Sequence, residues 1–197
     1  MNFQVFMDAE LVGVAQILQT RTRQRRIAFT YDQQWLTNPQ AFPISPEMPL
    51  DAGRHEPPVW KNLPYAFDDA APDRWGRDLL QAEHRMQAKA KGQRWEPLDD
   101  LGLLLAVDDE TRQGALRFAV DGIFVAEPSQ KAGVQDLGAL RAAAKRFEQS
   151  GEIDESVKHL IAVGSSPGGA APKAWVVDDH DQMWLAKFPR MSDAGDV

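Results

Sequence analysis

The chain has 197 residues, of which 43% are hydrophobic and 26% charged, and its formal net charge is −7. These values are typical of a globular chain that buries a core, as one large domain or two small ones. The negative charge disfavours nucleic-acid binding over the whole surface. The absence of cysteine excludes disulfides, a thiolate nucleophile and a zinc–thiolate site.

The cellular location is predicted from what the sequence lacks. No apolar run approaches the roughly 18 residues of a membrane span. The opening stretch MNFQVFMDAELVG has neither the basic start nor the long apolar core of a signal peptide. We therefore expect a cytoplasmic protein with no membrane partner.

The first part of the chain, residues 3–36, is predicted to be β structure. Within it, Ile27, Phe29 and Tyr31 recur at every second position, the period of a half-buried strand. The proline-rich segment 42–50 then suits either an edge strand or a loop.

A basic cluster precedes the strand that carries Phe29. It comprises Arg21, Arg23, Arg25 and Arg26. We interpret it as the solvated end of a hairpin. The alternative is a secondary contact with DNA inside a larger complex.

The middle of the chain changes to helical patterns. Apolar residues at 3–4 spacing predict a helix over about 73–91, ended by Gly92, and LDDLGLLLAV predicts a short buried helix. A strand is predicted over 114–120, and residues 122–136 are the best candidate for a linker.

A helix over 137–150 follows the predicted linker, with Asp136 as its N-cap and Gly151 as its C-terminal stop. Two strands are then predicted at about 172–177 and 183–188.

The stretch GSSPGGAAPKAWVV, residues 164–177, is rich in glycine. Glycine lets backbone N–H groups approach a phosphate closely, so the segment is a candidate phosphate loop. Ala170 stands where the Walker pattern requires lysine, and the kinase pattern G-x-G-x-x-G does not fit. From these residues alone, a plain mobile loop stays the alternative.

Two lysines lie on the last two predicted strands. If Val177 pairs with Met183, Lys173 lies opposite Lys187 on one face of the hairpin. Opposed ammonium groups destabilise a sheet unless an anion lies between them, and a polyphosphate would supply that charge. A shift of one residue would send the lysines to opposite faces, and the connection fixes neither register.

Several segments, taken in chain order, resemble the HipA-like serine/threonine kinases, which are the toxins of bacterial type II toxin–antitoxin pairs. They are VFMDAELVGVA, FTYDQQWL, ISPEMPL, LPYAFDDAAPDRWGRDLL, LDDLGLLLAVDDETRQGALRF, GSSPGGAAPKAWV and WLAKFP. The resemblance implies an α+β fold. An N-terminal antiparallel, partly barrel-like β subdomain with helices would span 1–121, and the start of a protein-kinase-like N-lobe would span 137–197.

The resemblance also implies roles for individual residues. Lys187 aligns with the lysine that holds ATP, and Ser166 with the loop serine whose autophosphorylation expels the loop and silences the kinase. Without the resemblance, loop solubility explains Ser165 and Ser166 equally well. The segment aligned with the one that wraps the ATP phosphates comprises Gly168, Gly169, Ala170, Ala171, Pro172 and Lys173.

Members of this family are considerably longer and carry their catalytic base and metal-binding residues in a helical C-lobe. This sequence shows no such lobe, and its four histidines form no catalytic-loop motif. We therefore expect the N-terminal portion of a kinase, with no catalytic residue or metal ligand of its own. ATP and Mg²⁺ are the implied cofactors, with the Mg²⁺ ligands in the C-lobe, and the chain alone is expected to be inactive.

The partners implied by the resemblance are a helix-turn-helix antitoxin, DNA indirectly through that antitoxin, and a protein substrate of the translation machinery such as an aminoacyl-tRNA synthetase. The alternative function is a non-catalytic interaction module, which binds the antitoxin or covers a partner kinase through exposed tryptophans. A third interpretation is an unrelated β-barrel-plus-helix domain with an accidental glycine loop.

Overall fold

A computed structural model describes residues 2–19, 24–109, 111–125, 131–166, 169–190 and 192. The fold is α+β, as predicted, with one five-stranded and one three-stranded sheet. The strands are β1 (Asn2–Met7), β2 (Glu10–Gln19), β3 (Arg25–Tyr31), β4 (Leu116–Val120), β5 (Ile123–Phe124), β6 (Ala132–Gly133), β7 (Lys173–Val177) and β8 (Met183–Lys187). The helices are α1 (Gln33–Thr37), α2 (Tyr65–Ala70), α3 (Arg74–Ala90), α4 (Asp100–Ala106), α5 (Leu137–Ser150) and α6 (Glu155–Gly164).

The chain packs as two units, each built from two separate segments. The first unit comprises Met1–Ala71 with Asp99–Glu127, and the second comprises Pro72–Leu98 with Pro128–Val197. Helix α3 therefore packs in the second unit, although it precedes the predicted boundary at residue 121. That boundary refers to family domains, which need not coincide with packing units, so it stays a prediction.

The first unit is built on an antiparallel sheet in the order β3-β2-β1-β4-β5. Between β1 and β2 the chain turns tightly at Asp8, whose φ of 51° is one that aspartate tolerates better than most residues. In the described part of the chain the sheet is open, with β3 and β5 at its edges. The antiparallel sheet was predicted correctly, whereas closure into a barrel is not seen.

The core of the first unit centres on four phenylalanines that are almost fully buried. Phe3, Phe29 and Phe118 lie on the sheet, and Phe67 comes from α2. The Phe67 ring centroid lies 5.4 Å from that of Phe118 and 5.7 Å from that of Phe29, both nearly edge-on. Edge-to-face contacts of this kind are favourable beyond the area they bury. They fix α2 against one face of the sheet.

One part of the predicted β region is helical instead. Residues 33–37 form α1 because Asp32 ends the strand: its carboxylate accepts the N–H of Gln34 at 2.8 Å, a typical N-cap bond. Trp35 then packs into the core at 5% exposure. The period-2 pattern ends at Tyr31, and extending it to residue 36 was wrong.

The proline-rich segment 42–50 is a loop, which decides between the two predicted alternatives. The hydroxyl of Tyr31 holds it from inside: it donates to the carbonyl of Met48 at 2.8 Å and accepts the N–H of Ile44 at 3.0 Å. Burial raises the pKa of this phenol. Tyr31 therefore joins β3 to the loop.

Arg112 is a buried brace of the first unit that the sequence did not reveal. Its side chain is 1% exposed and donates to the carbonyls of Leu104 and Val107, each at 2.8 Å, and of Ala70 at 3.2 Å. The guanidinium also lies 4.8 Å from the Phe118 ring centroid. Burial lowers its pKa to about 10. This cation joins the ends of α2 and α4 to the sheet.

The second unit contains the three long helices. The predicted helices at 73–91 and 137–150 are confirmed as α3 and α5. Gly92 and Gly151 have φ of 63° and 65°, the left-handed conformation that ends helices. Asp136 stands before α5 but does not cap it with its side chain; its carboxylate accepts the N–H of Gly133 at 2.8 Å.

Helix α6 was not predicted. Asp154 begins it by accepting the N–H of Val157 at 3.0 Å, and Val157, Leu160 and Ile161 are buried at helical spacing. Gly164 is the last residue of this helix. The glycine-rich loop therefore follows a helix directly and begins at Ser165, one residue later than predicted.

The three-stranded sheet has the order β6-β7-β8, with β6 parallel to β7 and β8 antiparallel to it. The strands predicted at 172–177 and 183–188 are confirmed within one residue. Of the predicted linker, residues 123–124 and 132–133 form short strands and 134–136 form a 3₁₀ turn. Residues 126–130 of that linker lie outside the described part of the chain.

Candidate anion-binding site

The candidate site lies on the β7–β8 hairpin of the second unit. Val177 pairs with Met183 and Lys173 pairs with Lys187, so the first of the two predicted registers is confirmed. Directly paired residues project from the same face of a sheet, which places both ammonium groups on one face. The N–H of Phe188 donates to the carbonyl of Pro172 at 2.8 Å and extends the pairing beyond Lys173.

The two lysines differ in exposure. Lys173 is 3% exposed, whereas Lys187 is exposed. The backbone of Lys173 contacts two helices. Its carbonyl oxygen accepts the indole N–H of Trp75, on α3, at 3.2 Å. Gly164, on α6, lies so close that a Cβ on it would be 2.9 Å from the same oxygen. Gly164 thus lets the end of α6 approach β7 closely. The result is a lysine buried beside the glycine-rich segment.

The charge around Lys173 is predominantly positive. Burial is the main effect that lowers the pKa of its ammonium group; the Asp73 carboxylate acts in the opposite direction, and Lys187 and Arg190 lower the pKa further. Three cations against one carboxylate favour a bound anion. We use the term anion site for Lys173, Lys187, Arg190 and the N–H of Gly169.

Gly169 borders the buried lysine. Its φ is 98°, and a Cβ on it would lie 2.6 Å from Nζ of Lys173, so both conformation and space favour glycine. Its N–H donates to the carboxylate of Asp73, which precedes α3. A carboxylate of this chain therefore already accepts the N–H that the phosphate-loop prediction assigns to a phosphate.

Asp73 is a residue of the candidate site that the sequence did not reveal. It lies 96 residues from Gly169 in the chain. Its only sequence signal is its place before a helix, which predicts an N-cap. In the structure its side chain makes no cap bond to α3.

The remaining predicted site residues lie around this contact. Ser166 is 3% exposed, Pro172 is buried, Ala171 is half-buried and Ala170 is exposed. Gly168 lies outside the described residues.

A cleft of about 460 Å³ adjoins the anion site in the same unit. Ala170 and Arg190 form one wall, and α3 and α5 form the others. Arg74 and Arg85 line it together with Asp78 and Glu148 among other residues, so charges of both signs face the space. The lining of the cleft therefore favours neither an anionic nor a cationic ligand.

ATP is the cofactor implied by the resemblance, and the anion site fits its phosphates. Backbone N–H, ammonium and guanidinium groups are the donors that bind phosphate oxygens. The bare Cα of Gly169 provides the close backbone approach such a ligand needs. Among the residues that the structure describes, no group of three or more His, Cys, Asp or Glu side chains could hold a metal ion.

The basic cluster is only partly described, because Arg21 and Arg23 lie outside the described residues. The other two arginines are not simply solvated. Arg25 forms an ion pair with Asp99, and Arg26 donates to the carbonyls of Pro57 at 2.5 Å and Lys61 at 3.3 Å. Both are engaged within the first unit.

None of the helices in the described ranges has the length and apolar character needed to cross a membrane.

Comparison with protein families gives a match over the N-terminal part of the chain. A model described as the HipA N-terminal domain matches residues 3–119, more than half of the chain. A comparison with curated proteins found no match. The matched range contains the five-stranded sheet up to β4 and helices α1–α4, while the anion site lies C-terminal to it.

Proposed function

This chain belongs to the HipA-like proteins and contains their N-terminal domain, and we propose that it is part of an ATP-dependent serine/threonine kinase toxin. The family places the chain in a toxin–antitoxin context. The kinase proposal rests on one observation: Lys173 and Lys187 face each other beside Gly169, whose N–H and bare Cα suit a phosphate.

The residues of this chain would bind and orient the phosphates of ATP. Lys173 is buried, so its attraction for a phosphate is less screened than that of a surface lysine. Lys187 adds a second cation from the same face, and Gly169 donates its N–H. ATP would supply the phosphoryl group. The base and the Mg²⁺ ligands would come from a C-lobe, and the substrate would be a cytoplasmic translation factor such as an aminoacyl-tRNA synthetase.

Autophosphorylation at Ser166 would silence such a kinase. A phosphoserine carries close to two negative charges and would repel ATP from the same loop. Ser166 is 3% exposed, so the hydroxyl must leave the interior before it can be modified. Movement of the loop would therefore precede phosphorylation.

Binding of inorganic tripolyphosphate tests the anion site directly. We expect calorimetric binding that weakens with added salt, and a loss of roughly tenfold in affinity for Lys187→Met. Lys91→Met is the matched control, because Lys91 is an exposed lysine at the end of α3. Equal affinities for the two variants, or no binding at all, would contradict the proposal.

The chain alone is expected to transfer no phosphoryl group. Incubation with γ-labelled ATP, Mg²⁺ and a synthetase substrate should leave both proteins unlabelled, because no base or metal site is assigned here. Labelling of either protein above a no-enzyme control would overturn this expectation.

A second function, an interaction module that binds a helix-turn-helix antitoxin or covers a partner kinase, is supported by one surface segment. Val59 and Trp60 are 84% and 77% exposed. The segment that carries them is braced, since Arg26 holds the carbonyls of Pro57 and Lys61. A preorganised aromatic side chain is typical of a binding hot spot. Any contact with DNA would then be made through the antitoxin.

Co-purification with the helix-turn-helix antitoxin tests this second function. Trp60→Ala should reduce capture of the antitoxin at least about tenfold. Trp184→Ala is the control, since Trp184 is 56% exposed but lies on β8 of the second unit. Equal capture by both variants would remove the support that Trp60 gives to this function.

A further inference from the structure

The glycine-rich segment is fastened to the first turn of α3 by a hydrogen bond between residues distant in the chain. The N–H of Gly169 donates to the carboxylate of Asp73. Asp73 occupies the N-cap position of α3, yet its side chain makes no bond to the helix. Its acceptor capacity is therefore directed at the loop rather than at the orphan N–H groups of its own helix.

A second contact holds the other side of the segment to the same turn. A Cβ at Gly76 would overlap the carbonyl oxygen of Ser165, and only glycine allows α3 to come this close. Ser165 and Ser166 are 4% and 3% exposed. The first turn of α3 thus touches the segment on both sides of residues 167–168.

The carboxylate lies where an anion is favoured. Asp73 is the acidic group that acts on buried Lys173, and it opposes the repulsion from Lys187 and Arg190. It also takes the N–H of Gly169. One carboxylate therefore makes two of the interactions that a phosphate oxygen would make in the anion site.

We propose that Asp73 is a positioning residue that competes with phosphate: its carboxylate occupies the N–H of Gly169, keeps the glycine-rich segment closed against the first turn of α3, and must release this N–H before a phosphate binds there. The identity of the competing anion rests on the proposed function; the closed segment does not.

Hydrogen–deuterium exchange of the whole chain without ligand tests the closed segment. Asp73→Asn keeps a good N-cap residue at the start of α3 but removes the charge. Asp179→Asn is the control, because Asp179 is an exposed aspartate of the same unit, in the turn between β7 and β8, and does not line the cleft. We expect exchange over 165–173 to rise roughly tenfold in the Asp73 variant only, as for loss of a charge-assisted hydrogen bond. Exchange equal to that of the unsubstituted chain would overturn the proposal.

Tripolyphosphate titration of the same three proteins tests the competition. We expect affinity to rise several-fold for Asp73→Asn and to stay unchanged for Asp179→Asn. Binding that is equal in all three proteins would overturn the competition. Absence of binding in all three would instead contradict the proposed function, and the exchange result would still decide whether Asp73 holds the segment closed. Thermal unfolding of each variant confirms that exchange reports the segment rather than global unfolding.

Discussion

Lys173 and Lys187 lie directly opposite each other across the β7–β8 hairpin, and the negative charge that accompanies them comes from Asp73 before α3. The hairpin thus pairs two like charges that repel each other, whereas two apolar residues at these positions would not. Residues retained against local stability are expected at functional sites. Packing among the described residues of the second unit gives no reason for this pair.

Replacing the buried lysine should stabilise the protein. The fold lowers the pKa of Lys173, so the charged lysine costs stability at neutral pH. Lys173→Met keeps the length of the side chain and removes this charge, so the free energy of unfolding at neutral pH should rise by about 1 kcal/mol. Lys187→Met, at an exposed position, should change it by less than about 0.5 kcal/mol. Urea denaturation measures both. A less stable Lys173→Met protein would show that the interactions of the ammonium group outweigh the cost of its burial.

The gain from Lys173→Met should depend on pH in a defined direction. The folded-state pKa of Lys173 is lowered, so between that value and 10.5 the unfolded chain binds a proton that the folded chain does not. In that window the unsubstituted protein gains stability as the pH rises. The difference in the free energy of unfolding between Lys173→Met and the unsubstituted protein should therefore be largest at neutral pH and decrease toward pH 10.5.

Arg112 should be essential for the first unit. Arg112→Met would leave the buried carbonyls of Ala70, Leu104 and Val107 without their donor, at a cost of about 3–5 kcal/mol. Arg117→Met is the matched control, because Arg117 also pairs with Asp109, at 2.5 Å, but has a 38% exposed side chain. Its cost should be below about 1 kcal/mol. Similar denaturation midpoints for the two variants would show that burial of Arg112 does not matter.

The hydroxyl of Tyr31 should stabilise the loop at 42–50. Tyr31→Phe removes the partner of the Met48 carbonyl and the Ile44 N–H, and should cost about 1–3 kcal/mol. Tyr65→Phe, at a residue that is 39% exposed, should have little effect on stability. Proteolysis within the loop should accelerate only for Tyr31→Phe, and equal cleavage rates would exclude the proposed role.

Two glycine-to-alanine substitutions should have opposite effects. Gly76→Ala puts a methyl group onto the backbone of Ser165 and should destabilise the second unit by more than about 2 kcal/mol. Gly138→Ala meets nothing within 4 Å on α5 and should stabilise it by about 0.5–1 kcal/mol. Thermal unfolding measures both. A neutral Gly76→Ala would mean that α3 and the loop separate easily.

Local patterns predicted most of the elements. Apolar spacing and a following glycine defined α3 and α5, and the alternation in β3 defined its buried face. Helix α6 was missed although Asp154 and the spacing of Val157, Leu160 and Ile161 signal it; no element was predicted between Gly151 and Gly164. The hairpin register was one of two alternatives, since a short connection does not select between them.

The contacts that Asp73 and Arg112 make could not be predicted from the sequence. The Asp73–Gly169 hydrogen bond and the Arg112 brace join residues that are far apart in the chain or that ordinarily lie at a surface. Their partners are backbone groups, and every residue has those groups. Only the tertiary arrangement shows which of them a given side chain reaches.

The two-segment construction of each unit sets an order on folding during synthesis. Helix α3 emerges from the ribosome well before α5 and α6, yet Trp75 and Leu79 are buried in the second unit, with Trp75 packed on Phe147 of α5. At roughly 5–20 residues per second, the nascent helix waits for seconds with its apolar face uncovered. The first unit is likewise completed only after α3, when Asp99–Glu127 has been synthesised. We therefore expect chaperone contacts of the nascent chain to concentrate on α3.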